Sequence, residues 1–490
     1  MAVPVHHWPA AAEFLDRDVE RARLEQWWAS PDKEPLSLFG RRRVGKSWLF
    51  RRFADGKPAV VLVADRLAAG QQWTNLAVQL EAPLGVRPRI DGIADLFRVL
   101  YALGRDGRVL VVVDELPYLL GTSAAEQQAN LSAVQAVMEA ERDTSSVKLL
   151  LTGSAVAQME SLQAERSPLH GRLVPMPLRP LGFAQARLFM PDLDPVDQVT
   201  RFAVTGGMPR YLRALGRGDL LDTVTTHLMD PLGAFFNEPR TILATELREP
   251  SVYFSVLSVL ATRPQSVTAI GEVLRMPTNE VTRYLDALAG LQLVSRSRPV
   301  GARPDSRNTQ WRCEDHFVRF WFRFVQPRQA ELEAGADPAA MTRVTVPAHL
   351  SDHTAPVFEE VVGAWVRQRF AGTATEVSRW WGPAVHASRA SRTRFSEEVD
   401  VVGLDGRRAV VAVEAKWTNA PLDAGVLTAL ADHKLPALAQ AGLDVTGCSL
   451  VLASRSGFTD GVRALAAERG DVTLVTAADL VRDLYTRPPQ

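Results

Sequence analysis

One eight-residue stretch constrains the fold of this chain more than any other feature of its sequence. Residues 40–47 read Gly-Arg-Arg-Arg-Val-Gly-Lys-Ser, between an apolar run, Leu36–Phe39, and a helical pattern over Lys46–Phe53. A glycine-bounded turn between a strand and a helix lets successive backbone N–H groups surround a phosphate, with the positive helix end behind them. The stretch therefore predicts a phosphate-binding loop at the carboxyl end of a parallel strand.

The side chains of this P-loop predict that the bound molecule is ATP with Mg²⁺. Lys46 is expected to reach the β- and γ-phosphate oxygens, and the Ser47 hydroxyl is expected to ligate the metal. The arginines in the variable part favour a solvated basic rim, with nucleic acid or a neighbouring subunit as the alternative contact. The predicted nucleotide-binding residues of the loop are Gly40, Arg41, Arg42, Arg43, Val44, Gly45, Lys46 and Ser47.

A second apolar strand, Val109–Val113, leads directly into an acidic pair. We expect Asp114 to hold Mg²⁺ and Glu115 to orient or activate the attacking water, as in a Walker B strand. The alternative for this pair is a solvated strand end. A further buried strand ends in small hydroxyl residues, of which Thr152 or Ser154 is expected to sense the γ-phosphate. A simple turn explains those residues as well.

The periodicity divides the 490 residues into an α/β multidomain chain, because a chain of this length exceeds one hydrophobic core. Apolar runs alternate with helical stretches first, which predicts a parallel sheet covered by helices. Three helices and a hairpin arm at Leu293–Val300 then predict a winged helix. The predicted boundaries are 1–185 for the P-loop domain, 186–240 for a helical lid, 241–305 for the winged helix, 306–345 for a connector and 346–490 for a second α/β domain.

Composition adds limits on location and partners. Lys+Arg and Asp+Glu both total 56, so net charge gives no indication of nucleic acid, although local basic surfaces are compatible with it. The two cysteines, Cys313 and Cys448, are far apart, which argues against a disulfide framework or zinc site and favours a reducing cytoplasm. No apolar run approaches the length of a membrane span, so no membrane partner is expected.

The last predicted domain contains the order of a PD-(D/E)xK site. Asp400 precedes Glu414 and Lys416 on what read as adjacent strands, and alternation places Glu414 and Lys416 on one strand face. The two carboxylates can share Mg²⁺, which polarises a phosphate and lowers the pKa of a bound water. Lys416 can position that water or neutralise developing charge. A charge pair on an exposed strand is the alternative.

The chain resembles the archaeal-type P-loop ATPases of the AAA+/STAND lineage, many of which end in a restriction-endonuclease-like domain. Besides the P-loop, four segments carry the resemblance: Phe14–Glu20, Ser167–Arg172, Thr205–Tyr211 and Phe317–Phe324. It implies an ATPase whose Gly207–Pro209 segment places a helical lid over the nucleotide. It implies that Arg172 senses phosphate or bridges subunits, a surface salt bridge being the alternative. It also implies a supporting metal ligand at Glu359, with Glu360 as the alternative.

Together these features predict an ATPase module that gates DNA binding or Mg²⁺-dependent DNA cleavage by the last domain, with a homo-oligomer as a compatible assembly. Two other functions remain open: a STAND-like signalling switch whose last domain binds a partner without cutting, and a DNA-binding regulator that uses ATP only as a conformational ligand. Five arginines of the winged helix are expected to contact DNA phosphates: Arg275, Arg283, Arg296, Arg298 and Arg303.

Overall fold

Two five-stranded sheets and a two-stranded hairpin organise the chain. The computed structural model describes residues 3–10, 14–247, 249–385 and 396–484. Contacts divide the chain into unit 1, residues 1–180 with 208–210, and unit 2, residues 181–207 with 211–490. The α/β multidomain fold predicted from the sequence is confirmed.

The sheet of unit 1 is parallel throughout and has the strand order β2-β3-β4-β1-β5. Its strands are β1 (Leu36–Phe39), β2 (Ala59–Val63), β3 (Val109–Asp114), β4 (Val147–Gly153) and β5 (Val174–Pro177). The helices are α1 (Asp18–Ala29), α2 (Lys46–Ala54), α3 (Ala69–Leu84), α4 (Ile93–Ala102), α5 (Ala124–Glu141) and α6 (Val156–Ser161). Every residue of β1, β3 and β4 is buried, as expected for a parallel sheet covered on both faces.

The strand order explains how distant residues of unit 1 meet. Strand β4 lies between β1, which leads into the P-loop, and β3, which ends at Asp114. The carboxyl ends of all three strands therefore share one edge of the sheet. Strand β5 was not predicted, because its sequence Val-Pro-Met-Pro carries two prolines; it lies at the sheet edge, where proline is tolerated.

The first part of unit 2 is helical and ends in a small hairpin. The segment Leu293–Val300, predicted as a short hairpin arm, contains only the first strand, because the second strand returns after a loop of residues 298–309. The elements are α7 (Phe183–Ala186), α8 (Pro195–Thr205), α9 (Pro209–Leu215, which begins in unit 1), α10 (Leu220–Val224), α11 (Glu238–Glu246), α12 (Pro250–Leu260), α13 (Val267–Leu274), α14 (Thr278–Gly290), β6 (Val294–Ser297) and β7 (Gln310–Cys313).

The segment 306–345, predicted only as a connector, is largely helical. After α15 (His316–Phe320) and a π-helical turn, the chain forms α16 (Gln329–Glu333) and then the 32-residue α17 (Pro338–Arg369). Proline inside a helix removes a hydrogen bond and usually ends it, yet α17 contains Pro347 and Pro356. Its apolar face compensates by packing on the sheet of unit 2, so tertiary burial overrides the local signal.

The sheet of unit 2 has the order β12-β11-β10-β9-β8, antiparallel from β8 to β10 and parallel from β10 to β12. The strand β8 and the last two helices were not predicted. The elements are β8 (Glu376–Pro383), β9 (Ser396–Asp405), β10 (Arg408–Lys416), α18 (Ala424–Ala429), a π-helical turn at Leu430–Lys434, α19 (Leu435–Gln440), β11 (Ser449–Ser454), α20 (Asp460–Arg469), β12 (Val472–Thr476) and α21 (Ala477–Asp483). No helix within the described ranges is both long enough and apolar enough to cross a membrane.

A buried histidine makes the stability of unit 2 depend on pH. His353 on α17 is 1% exposed, and its Nε2 lies 2.9 Å from the carbonyl oxygen of Ala203. Burial, and then the neighbouring Arg319, lower its pKa well below 6.5. Below pH 6.5 the unfolded chain binds a proton that the folded chain excludes, so the free energy of unfolding falls by about 1.4 kcal/mol per pH unit.

We expect this loss in urea denaturation of the wild type between pH 7.5 and 5.5, followed by tryptophan fluorescence. Substitution of His353 by glutamine, which does not titrate, should flatten the dependence by that amount. An equally steep pH dependence in both proteins would show that other groups cause it.

Candidate functional site

Two glycines shape the loop between β1 and α2. A Cβ at Gly40 would overlap the carbonyl oxygen of Leu178, which follows the edge strand β5. Gly45 has φ of +99°, in the left-handed region that favours glycine. The same glycine faces Pro209 of the predicted lid segment, whose Cγ would lie 3.6 Å from an added Cβ. The loop is therefore held close to backbone on one side and to the start of α9 on the other.

Substitution of Gly40 by alanine tests this close approach. Because the added methyl group meets backbone rather than a flexible side chain, we expect unit 1 to lose about 1–3 kcal/mol of stability. Chemical denaturation measures the loss, and Gly107→Ala is the matched control, since nothing lies within 4 Å of a Cβ at Gly107. Equal stability of the two variants would contradict the packing described for the loop.

The P-loop lysine is buried and belongs to the loop's own hydrogen-bond network. Lys46 is 6% exposed, and its Nζ donates to the carbonyl oxygens of Gly40 at 2.7 Å and Arg41 at 3.3 Å. These contacts hold the ammonium group inside the curve of the loop. The positive charge therefore stands where the sequence expects phosphate oxygens.

The sheet edge brings three of the predicted residues together. The Ser47 hydroxyl lies 3.4 Å from Oδ2 of Asp114, and the Thr152 hydroxyl donates to Oδ1 of the same carboxylate. Burial raises the pKa of Asp114, and the hydrogen bond from Thr152 opposes that rise. Ser47, Asp114 and Thr152 thus form one connected group, with hard oxygen donors of the kind that suit Mg²⁺.

The two hydroxyl residues that the sequence left as alternatives have different partners. While Thr152 contacts Asp114, Ser154 donates from both its backbone nitrogen, at 3.0 Å, and its hydroxyl, at 2.9 Å, to Oε2 of Glu115. Glu115 itself has a left-handed backbone, with φ of 59°. Its carboxylate is therefore fixed by β4 rather than left as a free strand end, as a residue that orients water requires.

A residue outside the loop supports it and was missed from the sequence as a site residue. Arg17 is buried, and its guanidinium donates to the carbonyl oxygen of Val44 at 3.0 Å and to Oε1 of Glu20 at 2.8 Å. Asp16 and Arg17 both have positive φ, at 62° and 67°, so this turn aims the side chain at the loop. In the sequence, Arg17 lies within Phe14–Glu20, one of the segments that carry the family resemblance. The resemblance alone implied no role for this arginine.

The loop arginines and Arg172 differ from one another in environment. Arg41 is 5% exposed, so the prediction of a solvated rim was wrong for that residue. Arg42 is exposed and donates to the hydroxyl of Tyr118 at 2.6 Å. Arg172 donates to Glu139 on α5 at 2.6 Å, with its side chain 39% exposed. That ion pair is the surface salt bridge given as the alternative to phosphate sensing.

Unit 2 brings the predicted PD-(D/E)xK residues together on β9 and β10. Asp400 and Glu414 are 6% and 4% exposed. Oδ2 of Asp400 accepts hydrogen bonds from the backbone nitrogen of Ala415, at 2.8 Å, and from Nζ of Lys416, at 3.4 Å. Lys416 also donates to Oε1 of Glu414, so one ammonium group bridges both carboxylates. Asp400, Glu414 and Lys416 therefore form one cluster of two buried carboxylates and a partly exposed lysine.

A second lysine belongs to this cluster and was missed from the sequence. Lys434 lies on the π-helical turn between α18 and α19, is 8% exposed, and donates to Oε2 of Glu414 at 2.5 Å. Both oxygens of Glu414 are thus held by ammonium groups. In the sequence, Lys434 could be recognised only as a lysine on the apolar side of a helical pattern. That pattern does not indicate that its partner is Glu414.

The structure distinguishes Glu359 from Glu360, which the sequence left open. Glu360 pairs with Arg312 and with His316, each at 3.1 Å; burial acts to raise its pKa, but the interactions with these partners outweigh it and lower the pKa to about 2. Burial, and then the charge of Asp400, raise the pKa of Glu359 to about 7. Glu359, whose Oε2 lies 3.7 Å from Arg379, is therefore the residue that faces Asp400.

Unit 2 arranges fewer side chains as metal ligands than the sequence implied. Across the described ranges, no group of three or more His, Cys, Asp and Glu side chains is arranged to hold a metal ion. Asp400 and Glu414 supply oxygen donors that suit Mg²⁺, and Glu359 faces the first of them. The carboxylates of Asp400 and Glu414 are suitable ligands for Mg²⁺. In this arrangement the same carboxylates are also contacted by the ammonium groups of lysines.

Comparisons with known proteins place the chain among archaeal and bacterial relatives. Residues 321–428 match the family DUF234, described as "Archaea bacterial proteins of unknown function". An uncharacterized protein of Methanocaldococcus jannaschii is 23% identical over 416 residues, which are 83% of this chain and 88% of that protein.

Two solved structures show weaker similarity. The Walker-type ATPase of Pyrococcus abyssi is 19% identical, with a TM-score of 0.49 over 66% of this chain and all of that chain. The Aeropyrum pernix ORC1 protein, solved in complex with DNA, is 16% identical, with a TM-score of 0.31 over 67% of this chain and 94% of that chain. The parallel sheet with its P-loop agrees with the resemblance of this chain to the archaeal-type P-loop ATPases, and the family match over residues 321–428 adds archaeal and bacterial relatives.

Proposed function

We propose that this chain binds and hydrolyses ATP and that its nucleotide state gates DNA binding or Mg²⁺-dependent DNA cleavage in unit 2. The observation that carries the ATPase is the connected group of Ser47, Asp114 and Thr152 at the sheet edge. The loop amides and Lys46 bind the phosphates in this proposal, and Thr152 reports the γ-phosphate. Ser47 and Asp114 would hold Mg²⁺, which would supply positive charge to the phosphate oxygens.

Water activation completes the proposed hydrolysis. Glu115 is the general base, because its carboxylate is fixed by Ser154 beside the end of β3. A base must lie within reach of the proton it abstracts and hold its orientation. The left-handed backbone at Glu115 contributes to that orientation.

The cluster on β9 and β10 supports the cleavage part of the proposal. Asp400 and Glu414, with Glu359 behind them, would hold Mg²⁺, which polarises a scissile phosphate and lowers the pKa of a bound water. Lys416 contacts both carboxylates and positions the nucleophilic water or neutralises developing charge. Cleavage of a phosphodiester is the reaction that these residue types support best.

A chain of contacts within unit 2 supports gating. The glycine pair before α9 lies beside α15, with an added Cβ at Gly206 3.6 Å from Cβ of His316. His316 pairs with Glu360, and the next residue on α17, Glu359, faces Asp400. A shift of the lid segment on nucleotide binding would therefore bias the helix that supports the cleavage cluster.

The test measures DNA binding and cleavage by the full chain with ATP, with ADP and without nucleotide, in Mg²⁺. Labelled duplex, single-stranded and branched DNA serve as substrates. We expect metal-dependent cleavage or DNA affinity to change at least about 5-fold between nucleotide states, the usual lower range of allosteric coupling. Identical binding and cleavage in all three states would overturn gating.

A non-cleaving switch is the second candidate, and one observation favours it. Lys416 and Lys434 occupy both oxygens of Glu414, which is how a structural buried ion pair also looks. ATP turnover without cleavage of any DNA substrate in Mg²⁺ or Mn²⁺ would support this function, in which unit 2 binds DNA or a protein partner.

A further inference from the structure

The cleavage cluster lies at one side of a cleft within unit 2. This cleft has a volume of about 680 Å³. One wall comes from β6, β7 and the loop after α12, and the other comes from α17, β8 and β9. Glu359 and Asp400 are among its lining residues, so a molecule in the cleft can reach two of the carboxylates of the proposed metal site.

The two walls are fixed to each other at the wing. The backbone nitrogen of Val300 donates to the carbonyl oxygen of Arg379 at 2.9 Å, and the indole of Trp381 donates to Asn308 at 2.8 Å. The partly exposed ion pair of Arg312 with Glu360 joins β7 to α17. These contacts give the cleft a defined width, because opening it would break hydrogen bonds on the sheet side and an ion pair on the helix side.

Arginine dominates the charge of the cleft. Eight arginines and six carboxylates line it, and several of these arginines are neutralised by the carboxylates beside them. Arg263, Arg296 and Arg367 are exposed. Within the described ranges, the guanidinium group of each of the three makes no hydrogen bond or ion pair to another protein group. Two of them lie on the winged-helix wall and the third on α17. Positive charge without a protein partner thus faces the cleft from both sides.

The size and charge together define the ligand. A volume of 680 Å³ falls in the range of about 300–1,000 Å³ that holds molecules of the size of one or two nucleotides. A DNA duplex is wider than a single strand, since its two backbones are separated by a major groove about 12 Å wide, and it is therefore the poorer fit to a cleft of this volume. Guanidinium groups bind phosphate oxygens in bidentate geometry. The chemistry is therefore that of a phosphodiester chain with unpaired bases.

We infer that the cleft between the wing and α17 binds a single-stranded segment of DNA and presents its backbone to Glu359 and Asp400. This inference rests on the proposed function, which it deepens by naming the substrate class as an unpaired strand, such as an end or a flap. Duplex DNA contacts other surfaces of the chain. In this inference Arg296 contacts the strand in the cleft rather than a duplex lying against α14.

The test is fluorescence anisotropy of the full chain in EDTA with a labelled oligothymidine and a labelled blunt duplex of the same length. Arg367→Ala should weaken single-strand binding about 5-fold and lower its salt slope by about 0.7, the contribution of one phosphate contact. Its duplex binding should not change. Arg369→Ala, an exposed arginine on the same helix outside the cleft, is the matched control and should change neither affinity.

The outcomes separate this inference from the proposed function. Single-strand affinity that is the same in Arg367→Ala and wild type overturns the cleft as a strand site, as does an equal loss for strand and duplex. Both results are obtained without metal, so they do not depend on cleavage. Absence of cleavage by the wild type in Mg²⁺ would instead remove the nuclease function and leave a strand-binding cleft.

Discussion

Substitution of Lys46 by alanine is expected to abolish ATP hydrolysis and to weaken ATP binding by at least about 100-fold. The reason is that one ammonium group makes charge-assisted hydrogen bonds to two phosphate groups, each contributing about 1.5–3 kcal/mol. Lys46 is already buried and aligned by the carbonyl oxygens of Gly40 and Arg41, so a flexible side chain elsewhere cannot replace it. Titration calorimetry with ATP and phosphate-release kinetics measure the two effects.

The control for this variant lies on the same helix. Arg51→Ala removes an equal charge from the exposed side of α2 and should leave affinity and turnover close to those of the wild type. If Lys46→Ala bound ATP with unchanged affinity while folding normally, the P-loop would not be the nucleotide site. Loss of affinity in both variants would instead indicate a general effect of charge on α2.

The nucleotide-site geometry was predictable because its signals are local. The P-loop follows β1, and Asp114 and Thr152 lie in the last two residues of β3 and β4, where the carboxyl ends of parallel strands meet at one edge. No knowledge of strand order was needed for that expectation. The actual order, with β4 between β1 and β3, then explains why the Thr152 hydroxyl reaches Asp114.

Long-range partners were not predictable in the same way. Arg17 reaches the carbonyl of Val44 only because two successive residues adopt left-handed backbone, which no hydrophobic pattern reports. Lys434 reaches Glu414 from a π-helical turn on another element. In both cases the partner is set by how elements pack, and a single sequence does not encode packing as a periodic signal.

Adjacent residues of α17 show a related limit. The sequence indicated that Glu359 or Glu360 supports the metal site, since neighbours on a helix differ by only about 100° in direction. Packing decides between them: Glu360 is taken by Arg312 and His316, which leaves Glu359 facing Asp400. The start of α17 was not predicted as helix. Its prolines predict the end of a helix more strongly than its apolar pattern predicts that the helix continues.

Glu414→Gln is expected to reduce metal-dependent DNA cleavage by at least about 1,000-fold, because the amide keeps the shape of the side chain and removes the charge that a metal ion requires. Glu414 is 4% exposed, and Lys416 and Lys434 each contact one of its two carboxylate oxygens. No other side chain of the cluster can therefore take over the role of this carboxylate. The measurement is the cleavage rate of labelled single-stranded and branched DNA by the full chain in Mg²⁺ and Mn²⁺, with ATP turnover recorded on the same samples.

Two further variants keep this prediction interpretable, because Glu414→Gln leaves the buried Lys434 and the partly exposed Lys416 without their shared carboxylate and so threatens folding of unit 2. Asp400→Asn removes a carboxylate of the same cluster and should lose cleavage to a similar extent, whereas Asp405→Asn, at the exposed end of the same strand β9, should retain it. Circular dichroism and unfolding midpoints identify any variant that fails to fold. Cleavage at the wild-type rate in folded Glu414→Gln and Asp400→Asn would place the reaction outside this cluster.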